Sequence, residues 1–170
     1  YEIEFLGIDV DTSDDADTIC LRYYDDIMGR FIVGIYDCGT KAYAEELERH
    51  LNKYYFHDTD NPIIDFVICS HSDQDHSAGL IYILEKFNVK KLYMNRPWLY
   101  VKDVFDKVND GRITEKSLIE RLKKCYPFIA DLEEIAEKNG VEIIEAFQGT
   151  NITDKLLVLY HSKDFYLDLL

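Results

Sequence analysis

The sequence predicts an α/β layered domain, and three observations carry that expectation. Apolar stretches of strand length alternate along the chain with stretches of helical period. One of them, Ile63-Ile64-Asp65-Phe66-Val67-Ile68-Cys69, is almost continuously apolar, as a strand buried on both faces requires. The composition, 47% hydrophobic and 31% charged over 170 residues, is that of a globular chain long enough for one hydrophobic core.

The elements follow in order. Residues 2–10 read as a strand, with Ile3, Phe5 and Ile8 apolar, and Asp11 to Asp17 as a polar turn. Strands follow over 18–24 and 31–37, with Asp25, Asp26, Met28, Gly29 and Arg30 suited to a hairpin loop between them. Asp37-Cys38-Gly39-Thr40 closes the second of these strands. Residues 41–55 form a helix by the spacing of Leu47, Leu51, Tyr54 and Tyr55, and His57 to Pro62 is a loop. After the strand 63–69 comes a polar loop, then a helix over 77–87 buried along Leu80, Ile83, Leu84 and Phe87. Residues 90–95 are a strand, and 98–108 and 114–125 are helical. Pro127 cannot sit inside a helix but suits the start of one over 128–138, and Gly140 is its C-terminal cap. Strands at 141–146 and 155–160 and a helix starting at Ser162 complete the pattern.

Charge and cysteine content narrow the function. The net charge is −14, with the acids spread along the chain apart from a modest cluster from Asp9 to Asp17. Such a surface forfeits the counterion release that drives binding to nucleic-acid backbones, which excludes a module that coats DNA. It does not exclude a nuclease site, because a bound divalent ion neutralises phosphate locally. Cys20, Cys38, Cys69 and Cys125 form no Cys-x-x-Cys pair and sit among apolar residues; buried free thiols in a reducing cytoplasm are the expectation. No apolar run approaches the length of a membrane span, and no signal peptide is evident. The sequence opens on Tyr1 and not Met, which suggests a piece of a longer chain.

The polar loop carries the chemistry. His71-Ser72-Asp73-Gln74-Asp75-His76 places two imidazoles and two carboxylates within six residues. These are the donors of a hydrolytic divalent-metal site, and a turn of this kind can feed two adjacent ions. Asp14, Asp15 and Asp17 lack the Gly and terminal Glu of an EF-hand and read as a solvated turn. Ser70 and Ser72 have no paired general base, which argues against a serine nucleophile. Lys90-Lys91 and Lys123-Lys124 read as solvated faces, Trp98 as a rim aromatic packed on a helix, and His50 and His57 as surface residues.

The loop resembles the His-x-His-x-Asp-His signature of the metallo-β-lactamase superfamily, with Asp73 at the second histidine. Asp37-Cys38-Gly39 resembles the Asp-x-Gly element of that superfamily, and Ala78-Gly79-Leu80 its Gly-Leu helix start. The form Ser-His-x-Asp-x-Asp-His-x-x-Gly-Leu looks most like the metallohydrolase domain of ComEC-type DNA-uptake proteins and related bacterial hydrolases. The resemblance is concentrated in residues 1–95. It implies an αββα sandwich of which residues 1–170 supply mainly the first half, continuing beyond 170. The remaining half would come from downstream chain or a partner subunit. It implies one or two divalent ions (zinc, manganese, magnesium or iron), with His71 and Asp73 at the first site and Asp75 and His76 at the second. Asp75 would also orient the attacking water as the catalytic carboxylate, and Asp37 would hydrogen-bond to the motif loop and orient it. Asp73 in place of histidine makes the first site harder and shifts it from zinc towards manganese, magnesium or iron. His161 is the one candidate for a later histidine ligand, although Leu159-Tyr160-His161-Ser162 lacks the usual Gly-His context.

The implied activity is hydrolysis of a phosphodiester (nucleic acid or nucleotide) or a related ester through a metal-activated water. The rival is a catalytically inactive metallohydrolase-like scaffold in a larger assembly. A flavo-diiron-like redox site is a third reading, weakened because Glu stands there where this chain has Asp73.

Overall fold

Alternation with a period of two builds the sheet from its centre outward. In Arg30–Tyr36 (β3), Val33 and Ile35 face one side and Ile32 the other, all three buried. The same alternation runs through Phe66–Ile68 (β5), with Val67 opposed to Phe66 and Ile68, and through Lys91–Tyr93 (β7), with Leu92 opposed to Tyr93. The computed structural model describes residues 1–7, 17–107 and 112–170. In it these strands join Glu2–Gly7 (β1), Asp17–Asp25 (β2) and Glu142–Ile144 (β8) in a six-stranded mixed sheet of order β1-β2-β3-β5-β7-β8. The first three strands are antiparallel and the rest run parallel to β3. The expected hairpin between β2 and β3 is present: Asp25 Oδ1 accepts the N–H groups of Ile27 (2.9 Å) and Met28 (2.8 Å).

One face of the sheet is covered by helices. Lys41–Tyr54 (α1), Gln74–Lys86 (α2) and Pro127–Lys138 (α5) bury Leu47, Leu51, Leu80, Ile83, Leu132 and their neighbours against it. The opposite face has a smaller cluster, centred on Tyr23, Phe66, Tyr93 and Ile152, and leaves Ile3 and Phe5 of β1 exposed. The chain is thus a mixed α/β sheet with one helical layer. Among the described residues no helix is long and apolar enough to cross a membrane.

Several expected elements differ, each for a local reason. The run 63–69 is two strands. Its one polar residue, Asp65, takes both Nη groups of Arg30 (2.5 and 2.9 Å) and the Val33 N–H (2.9 Å), and the chain changes sheets there. Ile63–Ile64 (β4) consequently pairs with Asn88–Val89 (β6) in a separate two-stranded sheet. Residues 155–160 form no regular strand: they fold back on 149–153 through bonds such as Val158 N to Thr150 O (2.9 Å) and Ile152 N to Leu156 O (2.9 Å), with one isolated bridge, Asn151 to Leu157, and Leu159 and Tyr160 stand in solvent. Residues 97–107 are a 3₁₀ turn, the short α-helix Val101–Val104 (α3) and a second 3₁₀ turn. Tyr54 is exposed against His50 and not buried. Helix Glu115–Cys125 (α4) leaves Cys125 exposed, while the other three thiols are buried. Pro127 opens α5, and Gly140 follows its end at φ 69°, both as expected. The acidic turn, with Asp14 and Asp15, and the end of the first strand at 8–10 lie outside the described residues, as does residue 108.

Trp98 and Lys123 belong to a buried ionic knot. Glu133, 5% exposed, accepts from Arg96 Nη1 (3.0 Å), Trp98 Nε1 (3.1 Å) and Lys123 Nζ (2.5 Å). Arg96 also donates through Nε to Glu145 (2.7 Å). Burial alone would raise the Glu133 pKa, but its bonds to Lys123, Trp98 and Arg96 together hold it below the usual range. A lowered folded-state pKa stabilises above the unfolded value, and that stability is lost as pH falls through the folded one. Glu133→Ala should therefore lower unfolding free energy by about 1–3 kcal/mol at pH 7, because Trp98 Nε1 loses its acceptor and Arg96 keeps only Glu145, while Lys123 turns to solvent. In urea melts the difference from the parent should shrink below about pH 4.

Candidate metal centre

The site is assembled where two parallel strands end. Asp37 follows β3 in the left-handed region (φ 54°), which Asp tolerates better than most residues, and its N–H still bonds to Ile68 of the neighbouring β5 (2.9 Å). This turns its carboxylate inward, where it is 4% exposed. Oδ1 accepts the Ser70 N–H (2.8 Å); Oδ2 accepts the Ser70 hydroxyl (2.5 Å) and bonds to His76 Nδ1 (2.9 Å). One buried carboxylate thereby ties the segment after β5 to the first turn of α2.

Proton counting on this network assigns the imidazole tautomers. A carboxylate only accepts, so His76 Nδ1 carries the proton of its bond to Asp37. The Ser70 hydroxyl has a single proton and gives it to Asp37. Its 2.8 Å contact with His71 Nδ1 is then a bond in which the histidine donates. Both Nδ1 atoms are protonated, and both Nε2 atoms keep the lone pair that a metal needs. Ser70 is therefore not an unpartnered serine. Nor is it an activated one, since its proton is committed to Asp37 and not to the histidine.

The helix starts three residues earlier than its apolar pattern suggests. Asp73 caps α2, and its carbonyl accepts from His76 N (3.1 Å), Ser77 N (3.0 Å) and Ser77 Oγ (2.8 Å). Asp75 and His76 thus stand on the first helical turn while His71 and Asp73 stand on the approach to it. His71 Nε2 lies 3.7 Å from Asp73 Oδ2, and His76 Nε2 lies 3.6 Å from Asp75 Oδ2. Two donors bound to one ion at about 2.0–2.2 Å with a tetrahedral angle stand about 3.5 Å apart, so each imidazole–carboxylate pair has the spacing of two ligands on a common ion. The two imidazole rings are 3.9 Å apart between centroids.

Close packing holds the helix to the Asp37 loop. Cys38 N donates to His76 O (3.0 Å) and Gly79 N to Gly39 O (2.7 Å). A Cβ on Gly79 would stand 2.0 Å from the Cys38 carbonyl oxygen, so only glycine fits.

Among the described residues, Asp37, His71 and His76 each offer a ligand atom within 4.8 Å of the others, a grouping able to hold a metal ion. Imidazole nitrogens joined by carboxylate oxygens fit a divalent cation. Asp73 and Asp75 flank this group, exposed and opposite the imidazoles. Cys38 and Cys69 lie beside it, but burial pushes both thiols up, with the Asp37 charge adding to it, so they stay protonated. His161 is not in the group. Its Nε2 meets Asn95 Nδ2 (3.4 Å), its ring stacks on Tyr166 (5.4 Å between centroids), and it lines a cavity of about 290 Å³ that His71 also borders. His57 is exposed, but His50 is half-buried and bonds Glu4 (2.9 Å). The sequence sets Ser70 aside only as a nucleophile and gives neither it nor Asn95 a role at the site; the signal for Ser70 is its place directly before the first motif histidine.

A family model described as the metallo-beta-lactamase superfamily matches residues 33–160. No curated protein matches the chain. Among solved structures, a beta-lactamase domain protein from Burkholderia ambifaria is similar at 19% identity, with a TM-score of 0.44, over 69% of this chain and 38% of that one. The chain thus spans little more than a third of that structure's length.

Removing the serine relay should loosen one imidazole without unfolding the protein. Ser70→Ala is expected to weaken manganese or zinc binding about 10- to 100-fold in calorimetric titration, with little change in thermal midpoint. Asp37→Asn, which alters the partner of His76 and of Ser70, should weaken it further. Unchanged affinity in both variants would refute the tautomer assignment.

Proposed function

The chain belongs to the metallo-beta-lactamase superfamily, and on that premise we propose that it is a metal-dependent hydrolase of phosphodiesters or related esters, of the ComEC-type branch. His71 and Asp73 contribute to one divalent-metal site, Asp75 and His76 to a second, and Asp75 also orients the attacking water. The observation that carries this reading is the pairing of each Nε2 with a carboxylate oxygen at 3.6–3.7 Å while Asp37 and Ser70 occupy both Nδ1 atoms. When bound, the ion supplies Lewis acidity and lowers the pKa of water. The protein's part is orientation: Asp37 fixes His76 directly and His71 through Ser70. Asp75 stands on the first turn of a helix docked by Gly79, where its carboxylate can accept a hydrogen bond from a water and orient it.

Four donors do not saturate two ions, so the remaining ligands are assigned to the other half of the fold, supplied by downstream chain or a partner subunit. An open apolar groove of about 540 Å³ beside the site, lined by Ile3, Phe5, Ile68 and Tyr160, supports a further layer on this face.

With manganese supplied, the intact protein should hydrolyse bis(p-nitrophenyl) phosphate, and Asp75→Ala should lower kcat by at least about 100-fold. If the parent shows neither turnover nor near-stoichiometric metal by elemental analysis, the domain is an inactive scaffold.

A further inference from the structure

The cavity bordered by His71 is lined differently from a site that takes a polyanion. Its volume is about 290 Å³, and no Lys, Arg, Asp or Glu lines it. Met94 and Ile129, both buried, and the half-buried Tyr126 and Tyr166 are among the residues that line it. A cavity of about 150 Å³ takes a benzene ring, so this one has room for about two fused rings. Polar groups free to read a ring edge are few: His161 Nδ1 is buried without a partner among the described residues, so the cavity suits a largely apolar occupant with room for one polar edge atom. The Asn95 amide is committed through Oδ1 to Ala146 N (2.8 Å) and through Nδ2 to Ala146 O and His161 Nε2 (both 3.4 Å). His161 in turn lies flat on Tyr166 at an interplanar angle of 14°. Asn95 thus joins the strand end after β7 to the 146 and 161 segments and fixes the wall that carries Tyr166.

We propose that this cavity is a substrate subsite for an uncharged, largely apolar group of up to about two fused rings, attached to the ester that reacts beside His71. The inference rests on the hydrolase reading and narrows its substrate class. The substrate is a small ester with a neutral aromatic or alicyclic substituent, not a nucleic-acid strand. Desolvating an apolar group against Met94, Ile129 and Tyr166 stabilises the complex, whereas further phosphates of a strand entering this cavity would meet no Lys or Arg. Met94, Ile129 and Tyr166 are the specificity-determining residues, and Asn95 is a positioning residue that acts through His161 and Tyr166.

Two substrates with one leaving group test this: 2-naphthyl p-nitrophenyl phosphate and methyl p-nitrophenyl phosphate, assayed with manganese. The naphthyl ester should have a kcat/KM about 10- to 100-fold higher, expressed in KM. Ile129→Trp, which fills the cavity, should bring the ratio close to one. Tyr166→Ala, which removes a wall at a half-buried position, should lower it even if the tryptophan variant fails to fold. Binding of 2-naphthyl methyl phosphate to metal-free protein, followed by naphthyl fluorescence, gives a readout independent of turnover. Binding lost in the variants, with no hydrolysis by the parent, would support the subsite and overturn the hydrolase. Hydrolysis with equal kcat/KM for both esters would overturn the subsite and keep the hydrolase. Tighter binding of a single-stranded oligonucleotide than of the naphthyl ester would also overturn it.

Discussion

The site depends on one buried carboxylate. Asp37 ends β3 in a left-handed conformation and takes three hydrogen bonds, from the Ser70 amide, the Ser70 hydroxyl and His76. Those donors come from the end of the adjacent parallel strand and from the first turn of α2. The strand register (Tyr36 beside Ile68, with the Asp37 N–H bonding the Ile68 carbonyl) brings Ser70 within reach without any contribution from the histidines. The sheet therefore places the carboxylate, and the carboxylate places the imidazoles. Charge-assisted bonds in a water-poor pocket are worth more than their exposed equivalents, and they leave the acceptor little freedom to turn.

The helix must then approach the Asp37 loop more closely than a side chain allows. Gly79 makes that approach possible, at the cost of a residue that weakens a helix interior by about 1 kcal/mol. Docking of α2 through Leu80, Ile83 and Leu84, all buried, offsets that cost many times over. Metal-binding geometry and core packing are thus coupled through one element. A substitution that shifts α2 along its axis moves Asp75 and His76 with it, while His71 stays with the strand end.

Much of this was legible in the sequence, and the reasons for the misses are physical. Periodicity gave the strands, helices and helical face because burial acts on every third or second residue alike. The motif gave the donor types because two imidazoles and two carboxylates within six residues are the donors a divalent ion takes. What periodicity does not carry is side-chain bonding across long separations. Asp65 splits the 63–69 run through Arg30, 35 residues away. Ser70 looked idle because its partner Asp37 is 33 residues away. Lys123 looked solvated because its partner is Glu133 on the following helix. The segment 155–160 alternates as a strand does, with Leu156 and Val158 packed on the core and Leu157 and Leu159 outward. Its backbone bonds return to residues 149–153 in a tight loop, which leaves one isolated bridge in place of a ladder.

A count of lone pairs separates the three aspartates around the histidines. A carboxylate has about four acceptor positions. Asp37 spends three of them on protein donors, and its side chain is only 6% exposed. About one position remains on this nearly enclosed carboxylate, and an ion there would crowd the bonds to Ser70 and His76 that orient the imidazoles. Asp73 and Asp75 have side-chain exposures of 72% and 43% and lie across from the free Nε2 atoms. A cation gains their oxygens without breaking the Asp37 network. Proximity groups Asp37 with the histidines; under the proposed function its bonds to Ser70 and His76 suit it to holding them, and the exposure of Asp73 and Asp75 suits those two to meeting an ion.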